Sequence, residues 1–330
     1  MTLGNMGQAY ADLGDPKKAI ELFEPALLAV REAGDRKGES AILGNMGHAY
    51  ADLGDLKKAI ELYEQALVAA REAGDCKGEG VTLGNMGQAY ADLGDLKKAI
   101  ELYEPALVAA REAEDRKGES VTLNYMASSY LALNEPGKAI EFYEKSLEVS
   151  CIAGDGKRES DTLSRLGQTY AKIGEPSKAI EFYEKALVNI QRAGDIRGEG
   201  VTLARIGQAY YALHEPRKAI ELYTKSLSSA RNSGDRRGEV ITLSRLGQTY
   251  VDLGETRIAI EFYEKQTVIA REICDRHGEA YALFNMSRAL DKLGERTKAI
   301  DLAKLALDIF EQIESSTSNK VQRQLENWQK

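Results

Sequence analysis

Three histidines and three cysteines are the side chains best suited to catalysis or metal binding, and they do not gather in one stretch. His48, His214 and His277 fall in separate stretches of the chain. Cys76, Cys151 and Cys274 are as widely scattered, and no pair has metal-ligand or redox spacing. A triad or a metal centre needs such groups to converge on one place. The sequence therefore predicts no catalytic residues, no cofactor and no metal, and free thiols in a reducing compartment. Runs such as Gly84-Asn85-Met86-Gly87 carry the glycines of a phosphate loop without a strand before them. The polar residues that do recur at fixed spacing are of another kind. Asn5, Asn45 and Asn85 are followed by Tyr125, then by Arg165, Arg205 and Arg245, then by Asn285, each forty residues from the next. Three residues further on stand Gln8, His48, Gln88, Ser128, Gln168, Gln208, Gln248 and Arg288. Side-chain amides both donate to and accept from a peptide backbone. Guanidinium forks suit carboxylates.

What positions these ladders is a repeat of forty residues. Residues 41–80 and 81–120 are nearly the same text, and the frame fits blocks starting at 1, 41, 81, 121, 161, 201, 241 and 281 without insertion or deletion. In the third block Leu83, Met86, Gly87, Tyr90 and Leu93 form one helical stripe. Gly94-Asp95 follows, with glycine suited to end one helix and aspartate to cap the next. Where other blocks lose that glycine they place Asn134 and His214, residue types that tolerate positive φ. A second stripe runs through Ala99, Ile100, Tyr103, Ala106, Leu107 and Ala110. Pro16, Pro136, Pro176 and Pro216 open the second helix, where a missing N–H costs nothing. Pro25 and Pro105 lie midway along it and predict a kink in blocks 1 and 3. Lysine–glutamate neighbours on the second helix, such as Lys97 and Glu101, are surface pairs worth at most ~0.5 kcal/mol.

The pattern Met86-Gly87, Tyr90, Ala99, Tyr103, Ala106 resembles the tetratricopeptide repeat (TPR) across all eight blocks. Two features depart from it: Leu83 and its equivalents replace the tryptophan of the first helix, and the unit is longer, ending in Gly-Asp-x-x-Gly-Glu. That longer unit resembles the repeats of kinesin light chains, Pins-type polarity adaptors and the sensor arrays of bacterial signalling ATPases. The resemblance implies an all-α solenoid, a right-handed superhelix of eight helix-turn-helix units forming one domain over 1–330. Val321, Leu325 and Trp328 share a helical face and predict a capping helix at about 319–329.

The resemblance also implies that ligands lie along the first-helix face, in a concave groove. Thirteen of the sixteen tyrosines occupy two packing positions of the repeat; Tyr125, Tyr211 and Tyr281 instead fall on the groove face, with Phe284 beside them. Aromatics next to arginine are characteristic of binding surfaces. The expected peptide-binding set is Asn5, Asn45, Asn85, Gln88, Tyr125, Arg165, Gln168, Arg205, Gln208, Tyr211, Arg245, Gln248, Asn285 and Arg288. For Tyr281 and Phe284, contact with the terminal helix is the alternative. A solvated helix face is the competing account of the arginines.

The charge balance narrows the partner. The chain carries a net −8, divided into −10 over residues 1–160 and +2 over 161–330. Neither half has the basic stripe of a nucleic-acid binder. No apolar run reaches the ~18–20 residues that span a bilayer, and no basic, apolar leader opens the sequence. These features predict a cytoplasmic interaction scaffold for an extended, partly acidic peptide or partner domain, with no nucleic acid and no membrane. A sensor module of a larger signalling ATPase, or an array that associates end to end, are the alternatives. The first is suggested by a first helix that starts at Met1 without the preceding Gly-Asp-Arg-Lys-Gly-Glu segment.

Overall fold

The computed structural model describes residues 2–329, and every regular element among them is α-helical. The first helix of each block is α1 (Leu3–Asp12), α3 (Arg36–Asp52), α5 (Cys76–Asp92), α7 (Arg116–Ala132), α9 (Gly156–Lys172), α11 (Ile196–Ala212), α13 (Arg236–Asp252) and α15 (Arg276–Lys292). The second is α2 (Pro16–Glu32), α4 (Leu56–Glu72), α6 (Leu96–Glu112), α8 (Pro136–Ala153), α10 (Pro176–Arg192), α12 (Pro216–Asn232), α14 (Thr256–Glu272) and α16 (Arg296–Gln312). A last helix, α17 (Ser318–Gln329), follows. The chain is an α-solenoid of paired helices. It divides into two compact units, residues 1–169 and 170–330. Met1, the expected start of the first helix, lies outside the described residues.

The turns form for the reasons the repeat suggested. Gly94 takes φ 87°, and Asn134 and His214 take the same left-handed region at 61° and 59°. Asp95 then accepts from the Lys98 amide and caps α6, and Asp115 accepts from Gly118 and caps α7. α2 and α6 run without a break through Pro25 and Pro105, and both prolines are exposed. On the surface of α6 it is Lys98, not Lys97, that pairs with Glu101, at 3.2 Å.

Four pairs share one contact. The ring of Tyr63, Tyr103, Tyr223 or Tyr263, buried on the second helix, lies against the glycine of the first: Gly47, Gly87, Gly207 or Gly247. Below it, Ala59, Ala99, Ala219 and Ala259 are wholly buried and bring the two backbones close.

The Gly-Asp-x-x-Gly-Glu ending has a structural task that its sequence did not disclose. Its glutamate turns inward and is held by arginine from the preceding helix. Arg31 Nε reaches Glu39 at 2.7 Å, and Arg36 Nη1 reaches its other oxygen at 2.7 Å. Arg71–Glu79, Arg111–Glu119 and Arg271–Glu279 repeat the first contact at 2.7 Å each. The hydrogen bond from Arg31 holds the Glu39 carboxyl below its ordinary pKa, against the opposing effect of burial. A depressed carboxylate stabilises the fold above its unfolded pKa of ~4.3, and that stability disappears as pH falls through the folded value. Glu39→Gln is expected to cost about 1 kcal/mol at neutral pH, since the arginines are half exposed and partly screened. It should also flatten the acid limb of stability below pH ~4.3. Urea titrations of both proteins at several pH values measure this; an unchanged acid limb would refute it.

Candidate binding face

Part of the predicted set, on α5, α7, α11, α13 and α15, lines three pockets. In the unit of residues 1–169, Asn85 and Tyr125 line a pocket of about 170 Å³. Its apolar walls are Val81 and Val121, and Gly80 and Gly84 open it by having no side chain. Asp115 and Lys77 close one end at 3.3 Å. The Gly118 amide and Lys77 hold the Asp115 carboxyl below its usual range despite its burial.

In the unit of residues 170–330, the same repeat positions build a second pocket, of about 210 Å³, with different chemistry. Gly200 and Ala204 leave the space, Val201 and Ile241 are its walls, and Arg205 and Arg245 take the places of Asn85 and Tyr125. Arg197 closes its end on Asp235 at 3.0 Å. Arg245 Nη1 rests 3.4 Å from the Ala204 carbonyl, which aims the guanidinium across the opening. The positive charge is felt below: burial pushes the Tyr223 phenol up to about 12, with Arg245 opposing it. Arg205 and Arg245 oppose the same rise at Tyr183. A third, smaller pocket brings Gln248, Asn285 and Arg288 together, and the Arg288 guanidinium lies 6.0 Å from the Phe284 ring centroid.

The remaining predicted residues stand apart from these pockets. Asn5 is exposed on α1, Asn45 half-buried on α3, Gln168 exposed on α9 and Gln208 exposed on α11. Arg165 Nη1 lies 3.3 Å from the Ser128 hydroxyl.

The aromatic residues differ in what they leave exposed. Tyr211 is 37% exposed, and its hydroxyl donates to Asp252, a bond that pushes the phenol up to about 12. Tyr125 stacks on Tyr103 with ring centroids 5.8 Å apart, so one of its faces is already covered. Phe284 is 3% exposed and packs with Val321, Leu325 and Trp328; Tyr281 packs edge-on to Phe310 and meets Thr317 at 3.0 Å. Both belong to the contact with the terminal helix.

Sequence reading missed the acid that belongs to three of the five glutamines. Gln8 donates to Asp12 at 2.8 Å, Gln88 to Asp92 at 2.7 Å and Gln248 to Asp252 at 2.9 Å. The i,i+4 spacing was visible, yet only the first member of each pair was read as a rung. These amides are therefore oriented by carboxylates before any ligand arrives. Among the described residues no group of histidine, cysteine, aspartate or glutamate is arranged to hold a metal ion, and no helix is long and apolar enough to cross a membrane.

Forty-residue helical pairs with this glycine–tyrosine lock define a repeat protein of the α-solenoid class. Tetratricopeptide-repeat models match residues 1–72, 79–151, 198–266 and 238–312, with a further match at 162–193. The chain belongs to the tetratricopeptide-repeat family. No curated protein matches it in sequence. Among solved structures it is similar to a Signal Transduction ATPase with Numerous Domains protein with a tetratricopeptide repeat sensor from Pyrococcus horikoshii. The TM-score is 0.77 at 17% identity, covering 98% of this chain and 47% of that one. The apo quorum sensor NprR of B. thuringiensis gives 0.63 at 15% identity, covering 93% and 86%. BtubC of P. vanneervenii gives 0.61 at 20% identity, covering 66% and 92%. The chain thus spans about half the length of the signalling ATPase it resembles.

Proposed function

We propose that this chain is a non-catalytic protein-interaction module whose first-helix face holds an extended, partly acidic peptide or partner segment. The observation that carries the reading is the placing of Arg205 and Arg245 on one small, apolar-walled pocket. An apolar side chain fits between Val201 and Ile241, and a neighbouring carboxylate meets two guanidiniums. The amides of Gln88 and Gln248, fixed by Asp92 and Asp252, are set to meet a peptide backbone. Arg165 stands at the equivalent repeat position of α9, in the unit of residues 1–169.

The test is fluorescence anisotropy with acidic, leucine-containing peptides of about ten residues, the length of an extended segment spanning several repeats. The wild type is compared with Arg165→Glu/Arg205→Glu/Arg245→Glu of unchanged helicity. We expect an affinity loss of about 100-fold, and a wild-type affinity that weakens with salt because the cations are partly exposed. Full affinity in the triple variant would sink the assignment.

A second reading is supported by the likeness to the signalling ATPase, which extends over 98% of this chain. Here the same face is the sensor of a larger regulatory protein, and a nucleotide-binding domain precedes it in the natural reading frame. Sequencing the transcript upstream of the first repeat distinguishes the two: a stop codon in frame would remove this reading.

A further inference from the structure

The inward glutamate of the repeat ending is satisfied in most blocks by arginine, and one block breaks that rule beside an open cleft. In the unit of residues 170–330, Glu239 receives Arg231 at 3.3 Å and Arg236 at 2.9 Å, and Glu279 receives Arg271 at 2.7 Å and Arg276 at 2.8 Å. Glu199 is their equivalent. Both arginine positions are changed there, to Gln191 and Ile196. Gln191 donates its amide to Glu199 at 2.7 Å, and among the described residues no cation meets that carboxylate. Glu159 also lacks both arginines, with Cys151 and Gly156 in their places, but it lines none of the pockets described above or the cleft that follows.

Glu199 lies at the edge of a cleft of about 580 Å³ between α10 and α12. Leu203 and Ile206 of α11 form its floor, and Leu187 and Leu222 stand at its sides. Both floor residues are buried, at 6% and 2% exposure, so the cleft reaches down to the core. The lysines on its rim are engaged: Lys225 with Glu221 at 2.7 Å, and Lys218 with Glu215 at 2.6 Å. Ser228 and Ser229 of α12 keep that wall low. The cleft opens on the side of α11 opposite to Arg205, since residues 199, 203, 206 and 210 share one helical face and 201, 205 and 208 the other.

We propose that this cleft binds an arginine side chain flanked by an apolar residue, presented by a basic segment of a partner. The incoming guanidinium takes the place that Arg231 and Arg271 fill from within at the neighbouring junctions. Its fork matches the Glu199 carboxylate, and the adjacent apolar side chain covers Leu203 and Ile206. The site is separate from the arginine pocket and asks for a ligand of opposite charge.

The experiment uses the full chain and a defined probe, N-acetyl-leucyl-arginine amide, titrated by NMR against the isotopically labelled protein. A ligand this small should bind with a dissociation constant on the order of 1 mM. Saturable shifts are expected at residues lining the cleft. The citrulline analogue, which keeps the shape and loses the charge, should bind at least about 10-fold more weakly. Gln191→Arg should abolish binding by filling the gap, and it should fold, because the chain already carries that arrangement at Arg231 and Arg271. Glu199→Gln should weaken binding by a similar factor. Equal binding of the citrulline analogue, undiminished binding to Gln191→Arg, or no saturable shift at about 20 mM would each overturn the proposal. The triple arginine variant should leave this titration unchanged, so the two sites fail or succeed independently.

Discussion

Replacing Gly247 by valine is expected to lower the unfolding free energy of the unit containing residues 170–330 by about 3 kcal/mol. A β-carbon at Gly247 would lie 2.5 Å from Cε1 of Tyr263, 2.8 Å from Cζ and 2.9 Å from Cδ1. Tyr263 is 1% exposed and has no room to withdraw. Either the ring leaves its rotamer or α13 and α14 separate, and both undo the contact that closes the pair. The chain contains its own controls. In the fourth block the equivalent residue is Ala127, and Tyr143 is still buried beside it, so one methyl group is tolerated with local adjustment. In the eighth block the residue is Ser287, and there the tyrosine has become Ala303. The larger residue appears where the ring is gone. Gly247→Ala should accordingly cost less than half as much as Gly247→Val. Chemical denaturation followed by circular dichroism measures both; a valine variant within about 0.5 kcal/mol of wild type would mean that the ring contact does not hold the pair.

That glycine–tyrosine lock shows why the fold was legible in the sequence. A contact repeated along the chain leaves a pattern forty residues apart, and most turns leave a residue suited to their backbone, including Asn134 and His214, while Glu114, Cys274 and Glu314 take positive φ without one. The candidate face was legible only in part. Residues at one repeat position, Asn85 and Tyr125 or Arg205 and Arg245, line a common pocket because they come from adjacent helices of like orientation. Position within the repeat did not show what each side chain touches. The hydroxyl of Tyr211 is held by Asp252, a residue forty-one positions away on the next first helix.

Polar contacts between small residues were equally hidden. Ser120, Ser146 and Ser150 form no motif in the sequence, yet their hydroxyls join in a buried network at 2.9 and 2.7 Å. Asn124 enters the same network through Ser146 at 2.7 Å, where six other blocks carry glycine, alanine or serine and the eighth carries Phe284. The arginine–glutamate clamp escaped notice because its members lie on either side of a turn, eight residues apart, and each looks like a surface charge. Its absence at Gln191 and Glu199 becomes informative only after the clamp has been seen elsewhere.

Removal of the terminal helix should have the larger effect on the unit that carries it. α17 buries Val321, Leu325 and Trp328 at 0%, 7% and 8% exposure, against a core that includes Phe284, Leu290 and Phe310. Trp328 is anchored further by its indole N–H, which donates to Asp291 at 2.8 Å, and Arg296 lies over its ring while pairing with the same aspartate at 2.5 Å. Three large apolar side chains leaving water contribute about 5 kcal/mol at most, since the unfolded chain already hides part of that surface. A chain ending at Glu314 should lose stability of that order, and Trp328→Ala about 3 kcal/mol. The truncation also makes a second, separable prediction. It exposes on α16 the kind of face that every interior second helix hides against the next block, an apolar surface bordered by the buried Ala303 and Phe310. End-to-end association, which the repeated sequence suggested, should therefore appear in the truncated chain as concentration-dependent oligomers in size-exclusion chromatography with light scattering. Trp328→Ala, which keeps most of the helix, should lose stability without that association. A truncated chain that stays monomeric while losing stability would show that α17 acts as a weight in the core and not as a barrier to stacking.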